Sequence, residues 1–215
     1  MQVYAPVLEK YSRQATRYDR RWNRNFGEGT LEATIAAVPW KRAQKILDVG
    51  CGTGLLEATV RGRLHPRARM VGLDISLAML EQAREKVNGA QGIRWANAVA
   101  ESLPFPGACF DAVICANSFH YYRHPMRVLE EFRRVLEPGG WLVLTDWCAD
   151  FLACKLGHWA LQLADRTRLH RYAMQRCYDM EELEQMLAQA GFRIEMTRRV
   201  RMDWSWGVMV HRARA

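Results

Sequence analysis

The chain has 215 residues, of which 49% are hydrophobic and 25% are charged, and these proportions predict a single globular domain over residues 1–215. They exclude a disordered chain, a collagen and a coiled coil. A formal net charge of +8 is typical of a solvated basic surface, and it is also compatible with nucleic acid, anionic lipid or an acidic protein as a partner. The six cysteines form no CxxC pair, so we expect reduced thiols and neither a disulfide framework nor a metal site.

The first 40 residues are predicted to contain two helical segments and no strand, and we expect them to form a lid or a flank of the domain. Tyr4, Tyr11, Tyr18 and Trp22 are spaced by seven, seven and four positions and therefore share one helical face. Packing against a sheet and closure over a bound molecule both explain such a stripe.

The sequence has no stretch of 18 apolar residues and no signal peptide, so we expect a cytoplasmic protein without a membrane span.

Seven β-rich runs follow along the rest of the chain. The predicted strands cover residues 45–49, 69–73, 92–97, 111–116, 141–145, 192–199 and 205–211. Between them, an apolar face from Leu77 to Val87 with Ser76 as N-cap, and another from Val128 to Leu136, predict helices. Alternating strands and helices predict a Rossmann-like, doubly wound α/β fold with a mostly parallel seven-stranded sheet and helices on both faces.

The last third of the chain departs from this alternation. A long helical stretch from Phe151 to Ala173 and a shorter helix that begins near Asp179 precede the last two strands. The link between those strands is too short for a parallel crossover, so we expect the last strand to be antiparallel. The helical insert over residues 151–178 is rich in apolar side chains, and we expect it to form one wall of a ligand pocket.

A glycine-rich turn follows the first predicted strand, where residues 46–55 read ILDVGCGTGL. Gly50, Gly52 and Gly54 allow the backbone to turn sharply and to approach a ligand closely. The turn is not a phosphate-binding P-loop, because GxxxxGK is missing, and Leu55 stands where a dinucleotide fingerprint needs Gly or Ala. In open α/β sheets ligands bind at the carboxyl ends of the strands, where this turn must lie.

Two acidic residues accompany the glycine turn. Asp74 ends the second predicted strand, where a carboxylate can accept hydrogen bonds from both hydroxyls of a ribose. Asp48 precedes the turn and is placed to orient backbone amides or to face a cationic amino group. One carboxylate for a sugar and one near a positive charge suit an adenosyl amino acid better than a pyrophosphate.

Four segments of the chain resemble the successive motifs of the class I S-adenosylmethionine-dependent methyltransferases. The segments are ILDVGCGTG, VGLDIS, ESLPFPGACFDAVICANSFHYY and LEEFRRVLEPGGWLVLTDW. The closest likeness is to the small-molecule group that includes the quinone and sterol methyltransferases. It covers residues 45–147, a cofactor-binding core, and extends more weakly to Tyr18-Asp19. The resemblance implies S-adenosylmethionine as cofactor and S-adenosylhomocysteine as product, and it does not specify the acceptor.

The resemblance also implies which residues bind the cofactor. In this family the positions of Asp48 and the glycines hold the methionine part, Asp74 the ribose, and Ala100 and Glu101 the adenine edge. The implied cofactor residues are Tyr18, Asp48, Gly50, Gly52, Gly54, Asp74, Ile75, Met79, Ala100, Glu101 and Asn117. Val99 departs from the family pattern, because an Asp that accepts a hydrogen bond from the adenine amino group is common there. Backbone groups and Asn97 are the alternative acceptors.

The acceptor is expected next to the ends of the fourth and fifth strands. His120 follows the fourth strand and is a candidate general base, with packing or orientation as the alternative role. Asp146 ends the fifth strand and is either a second candidate base or a carboxylate that orients the acceptor. Tyr121 and Trp147 are candidate contacts to the acceptor. No group of residues has metal-ligand spacing, so we expect no metal.

The sequence therefore predicts an enzyme that methylates a small, apolar or aromatic acceptor by in-line displacement. An RNA methyltransferase is an alternative that the net charge of +8 encourages. A cofactor-binding scaffold without turnover is a second alternative, which Val99 favours and the intact glycine turn opposes. No feature of the sequence predicts the oligomeric state.

Overall fold

A seven-stranded sheet forms the centre of the protein. The computed structural model describes residues 4–19, 27–166, 176–203 and 205–215. Neighbouring strands follow the order β3-β2-β1-β4-β5-β7-β6, in which β7 is antiparallel to both of its neighbours and the other pairs are parallel. The strands are β1 Lys45–Val49, β2 Arg69–Asp74, β3 Ile93–Asn97, β4 Phe110–Ala116, β5 Leu136–Trp147, β6 Arg193–Arg201 and β7 Gly207–Arg214. The predicted fold, including the antiparallel last strand, is confirmed.

Helices pack on both faces of the sheet. In the described part of the chain they are α1 Ala5–Gln14, α2 Gly27–Ala37, α3 Leu55–Val60, α4 Leu77–Lys86, α5 Pro125–Val135, α6 Leu152–Arg166 and α7 Met180–Gln189. The predicted cap at Ser76 forms, because its hydroxyl accepts from the Met79 N–H at 3.4 Å. Asp179, near which the sequence places the start of a helix, also acts as a cap and accepts from the Glu182 N–H at 2.8 Å. Part of the predicted insert, residues 167–175, and Trp22 of the aromatic stripe lie outside the described residues.

Two apolar layers separate the sheet from its helices. Alternate residues of a strand point to opposite faces, and the adjacent Ile46 and Leu47 of β1 accordingly belong to different layers. Ile46 packs in the layer that includes α2 and α3, whereas Leu47 packs in the layer that includes Phe132 of α5 and Leu183 of α7. Within the described ranges, no helix has the length and apolar composition needed to cross a bilayer.

His211 makes the stability of this sheet dependent on pH. It is buried on β7, the nearest Glu184 oxygen lies 3.7 Å away, and burial lowers its pKa to about 4. In the unfolded chain the pKa of this histidine is about 6.5, so as the pH falls the unfolded state takes up a proton at His211 before the folded state does. The free energy of unfolding is therefore highest above pH ~6.5, and this contribution is lost as the pH falls toward 4. Between pH ~7 and ~5, the free energy of unfolding should fall about 2 kcal/mol more in the wild type than in His211→Gln. Urea denaturation at several pH values measures both slopes, and equal slopes would contradict the prediction.

Candidate functional site

A cavity lies at the carboxyl ends of β1, β2 and β4, around the glycine turn. Tyr121 and most of the residues that the resemblance assigns to the cofactor line it. The predicted cofactor residues in its wall are Tyr18, Asp48, Gly50, Gly52, Asp74, Ile75, Met79, Ala100, Glu101 and Asn117. Among the residues that the structure describes, Gly54, His120, Asp146 and Trp147 lie outside this wall, and so do those of the insert at 151–166 and 176–178.

The glycines of the turn have different tasks. Gly52 has a φ of +56°, and no atom lies within 4 Å of the position that a Cβ would occupy, so the backbone leaves room for a ligand in the cavity. Gly54 instead packs between neighbouring elements, because a Cβ there would lie 2.7 Å from Trp95 and 2.9 Å from Ala83. Gly54 therefore allows α3 to approach α4 and β3, and its contact with the cofactor stays a prediction.

Asp74 ties the glycine turn to the end of β2. One of its carboxylate oxygens accepts from the Gly52 N–H at 2.9 Å, and the other accepts from the Ser76 N–H at 2.8 Å. Burial raises the pKa of Asp74, and these backbone amides oppose that rise. Each carboxylate oxygen has a second lone pair, so the same side chain can also accept from ribose hydroxyls.

Asp48 and Glu57 form a buried acidic pair beneath the turn. Both lie in the protein interior, and no donor among the described residues bonds Oδ1 of Asp48 or either oxygen of Glu57. Burial, followed by the charge of Asp74, raises the pKa of Asp48 to about 7, and burial together with Asp48 raises the pKa of Glu57 further above its usual range. The two carboxyl groups titrate as a coupled pair, and burial holds both pKa values above their usual range.

Three buried acceptor oxygens around the cavity have no hydrogen-bond donor among the described residues. They belong to Asp48 (Oδ1), Glu101 (Oε2) and Asn117 (Oδ1), and all three residues line the cavity. Asn117 adopts a φ of +52° directly after β4, a left-handed conformation that asparagine tolerates better than most residues. Buried acceptors are normally paired, so they fit a ligand rich in donors. S-adenosylmethionine has such donors in its ammonium, ribose and adenine amino groups, and the site fits it.

The N-terminal segment, residues 4–19, contributes one wall of the cavity. Tyr4, Tyr11 and Tyr18 of the predicted stripe all line it. The Tyr4 hydroxyl donates to Glu101, and the Tyr11 hydroxyl donates to that of Tyr121 at 2.7 Å. The rings of Tyr11 and Tyr121 also meet edge to face with their centroids 5.6 Å apart. The three tyrosines of the stripe therefore face the cavity, and their heptad spacing is the signal by which the sequence indicates that wall.

A second contact joins the N-terminal segment to the glycine turn. Asp19 accepts from the Thr53 hydroxyl at 2.5 Å and forms an ion pair with Lys86 of α4 at 2.5 Å. Lys86 also donates to the Thr53 carbonyl at 2.7 Å. Sequence reasoning does not identify Thr53 or Lys86 as part of the site, because no motif links the end of α4 to the glycine turn.

His120 and Asp146 form a buried pair next to the cavity. The Nδ1 atom of His120 lies 2.6 Å from Oδ1 of Asp146, which also accepts from the Trp147 N–H at 2.7 Å. The other oxygen of Asp146 accepts from the backbone N–H of His120 at 2.9 Å. Because the carboxylate accepts, Nδ1 carries the proton and Nε2 is the basic nitrogen. Asp146 thus holds the imidazole of His120 in place, and both of its candidate roles toward an acceptor stay predictions.

The surroundings of His120 explain why it does not line the cavity. Its ring lies 4.0 Å from that of Tyr121, which does line the cavity, and 6.1 Å from that of Trp147.

Asn97, considered above as an acceptor for adenine, donates its amide N–H groups to the carbonyls of Asp74 and Ile75 at 2.9 and 2.8 Å. This leaves its Oδ1 atom able to accept, so the role of Asn97 toward adenine stays a prediction. Among the described residues, no three His, Cys, Asp or Glu side chains are grouped so as to hold a metal ion.

Comparisons with known proteins agree with this geometry. The family model described as "Methyltransferase domain" matches residues 47–144. The chain is 36% identical to the demethylmenaquinone methyltransferase of Deinococcus radiodurans, over 66% of this chain and 60% of that protein. It is 32% identical to the malonyl-[acyl-carrier protein] O-methyltransferase of Marinomonas sp., over 65% of this chain and 50% of that protein. The chain thus spans half to three fifths of the length of these two relatives.

Solved structures share the fold. The S-adenosylmethionine-dependent methyltransferase of Mesorhizobium loti superposes with a TM-score of 0.72 at 20% identity, covering 88% of this chain and 99% of that one. A SAM-dependent methyltransferase of Aquifex aeolicus superposes with a TM-score of 0.61 at 21% identity, covering 80% of this chain and 81% of that one. At this level of identity the superpositions describe the architecture alone.

Proposed function

Since the chain belongs to the class I S-adenosylmethionine-dependent methyltransferases, we propose that it transfers a methyl group to a small, apolar or aromatic acceptor. The observation that carries this proposal is the cavity itself. Two acids of its wall, Asp48 and Asp74, suit the amino acid and ribose of the cofactor, and the aromatic rings of Tyr11 and Tyr121 line it as well. Aromatic rings favour flat, apolar partners. One relative is named for methylating demethylmenaquinone, which supports an aromatic, quinone-like acceptor.

The residues of the chain would bind, orient and shield the reactants. When bound, S-adenosylmethionine supplies a methyl group on a positively charged sulfur that departs as a neutral thioether. The ionised Asp48 would attract the ammonium group of the cofactor, and Asp74 would accept from its ribose hydroxyls. The tyrosine rings of the N-terminal segment exclude water from the acceptor side. His120 lies behind Tyr121, so Nε2 would take a proton from an acceptor that is seated past Tyr121, with Asp146 stabilising the charged imidazole.

The acidic pair should make cofactor binding dependent on pH. A cationic cofactor favours ionised Asp48, whose pKa is about 7, so affinity for S-adenosylmethionine should rise about five- to tenfold between pH ~6 and ~7.5. Isothermal titration calorimetry across this range measures the effect. An affinity that does not change with pH would contradict the proposed contact of Asp48 with the ammonium group.

Transfer of a labelled methyl group tests the proposed reaction. The protein would be incubated with labelled S-adenosylmethionine and a cell extract, which is then separated into small molecules and lipids, protein, and RNA. Label in the first fraction is the expected result and provides material for identifying the acceptor. Label only in RNA would replace the proposal with an RNA methyltransferase. No label with cofactor binding intact, in extracts from several growth conditions, would favour a scaffold without turnover.

We also propose a cytoplasmic location for the enzyme. All six cysteines are free thiols, which suits a reducing compartment. Fractionation of cells that express the chain with a small tag would test this, and recovery from a compartment that forms disulfides would contradict it.

A further inference from the structure

The outer face of α6 carries large apolar side chains that the domain does not cover. Leu152, Leu156 and Trp159 are 67%, 55% and 63% exposed. Their spacing of four and three positions places them on one side of the helix. Cys154 on the other side is buried and donates to the Gly207 carbonyl of β7, so α6 already packs on the domain through its inner face. The apolar stripe of Leu152, Leu156 and Trp159 is therefore not part of the core.

This stripe serves no part of the cavity described above. The residues of α6 are not among those that line the cavity, although the sequence predicts the insert as a pocket wall. Most large apolar side chains elsewhere in the described structure are at least partly buried. Among the described residues outside α6, Leu77 at the start of α4 is the one strongly exposed leucine. Three such side chains in one row, one of them a tryptophan, indicate a surface that meets something apolar.

Basic side chains flank the stripe. Lys155 is exposed on α6 itself, and the ion pair of Arg199 with Asp150 at 2.8 Å places β6 beside the first turn of α6. Arg201 is exposed two positions further on, and therefore on the same face of β6 as Arg199. Two described acids lie beside these bases: Asp150, which is paired with Arg199, and Asp203, which caps the turn of the β6–β7 hairpin. Three bases, Lys155, Arg199 and Arg201, against these two acids leave one net positive charge on this flank.

We propose that the apolar stripe and its basic flank dock on the surface of a phospholipid bilayer that contains anionic lipids. Helices that lie in a membrane interface combine leucine and tryptophan on one side with lysine and arginine beside them. The positive flank complements an anionic headgroup layer. The proposal that the stripe docks on a bilayer does not depend on which acceptor the enzyme uses. The further idea that an apolar acceptor reaches the enzyme from the bilayer rests on the proposed function.

A second copy of the chain is a less suitable occupant of this surface. Two copies that met through the stripe would bring Lys155, Arg199 and Arg201 of each protomer together, and each chain has a net charge of +8. Stable protein–protein interfaces also bury about 800 Å² on each partner, which three side chains in a row do not provide. A bilayer accepts a narrow apolar stripe without needing a complementary shape.

Vesicle sedimentation tests the proposal with the full chain. The wild type should sediment with vesicles of phosphatidylcholine and phosphatidylglycerol, and its partition coefficient should be about tenfold or more lower for phosphatidylcholine alone and at high salt. Leu156→Glu should lower partitioning to the anionic vesicles about tenfold or more. Leu77→Glu is the matched control, because Leu77 is 57% exposed on another part of the surface, and it should bind as the wild type does.

Two results would overturn the proposal. The first is a wild type that does not bind anionic vesicles, or a Leu156→Glu variant that binds them as well as Leu77→Glu. The second is a wild type that does not bind vesicles and forms a dimer in solution, together with a Leu156→Glu variant that is a monomer. That result would assign the stripe to a second copy of the chain. Sedimentation requires no methyl transfer, so a protein that binds vesicles but lacks activity would contradict the proposed function alone.

Discussion

Alanine in place of His120 is expected to lower turnover about 100- to 10,000-fold while leaving the affinity for S-adenosylmethionine unchanged. The loss follows from removing the proton acceptor at Nε2, which the 2.6 Å contact between Nδ1 and Asp146 prepares for that task. The affinity should be retained because the His120 ring lies behind Tyr121, outside the cavity wall. Steady-state kinetics with the identified acceptor and calorimetry with the cofactor separate the two quantities.

Two further variants make this result specific. Asp146→Asn should lower turnover nearly as much, because the asparagine amide donates to Nδ1 and leaves the proton on Nε2. His124→Ala is the matched control: this exposed histidine precedes α5, four positions from His120, and its loss should not affect turnover. Full activity in His120→Ala would remove the pair from the proposed chemistry. A parallel loss of cofactor affinity would assign His120 a structural role.

Asp74→Ala should weaken the binding of S-adenosylmethionine about 100-fold. A hydrogen bond to a charged group contributes about 1.5–3 kcal/mol, and the substitution removes the proposed acceptor of the ribose hydroxyls. It also releases the Gly52 and Ser76 amides that the carboxylate holds, so the glycine turn loses its anchor to β2. Isothermal titration calorimetry measures the change directly.

Asp111→Ala is the matched control for this second prediction. Asp111 also uses its carboxylate to accept from two backbone amides, those of Gln44 and Lys45, but it does so at the opposite end of the sheet from the cavity. Its loss should lower stability and leave cofactor affinity within about twofold of the wild type. Equal weakening in both variants would mean that Asp74 acts through general stability. Unchanged binding in Asp74→Ala would contradict its assignment to the ribose.

The sheet is predictable from the sequence because each strand has a local signal. Strands buried on both faces read as mostly apolar runs, of which residues 112–116 of β4 are an uninterrupted example, and several of the turns between elements contain glycine or proline. The caps at Ser76 and Asp179 are equally local, since the side chain bonds an amide three positions away. Much of the cofactor site follows as well, because its residues sit directly after strands whose carboxyl ends meet at one edge.

Contacts between distant parts of the chain are not predictable in this way. Tyr4 and Glu101 are 97 positions apart, and no pattern in either segment indicates that they bond. The position of His120 after the fourth strand is clear from the sequence, whereas the direction of its ring depends on the short 3₁₀ turn Phe119–Tyr121 and on Asp146. Gly54 illustrates a related difficulty: a glycine needed for packing and one needed for a ligand look the same in a motif.

The way the N-terminal segment is attached has a kinetic consequence. Side-chain bonds hold it at Glu101, at Tyr121 and at the glycine turn through Asp19, and these bonds can open without breaking any strand pairing. We expect a molecule that passes this wall to leave only while these contacts are open. The residence time of S-adenosylhomocysteine along that route should then depend on the contacts of Tyr4, Tyr11 and Asp19.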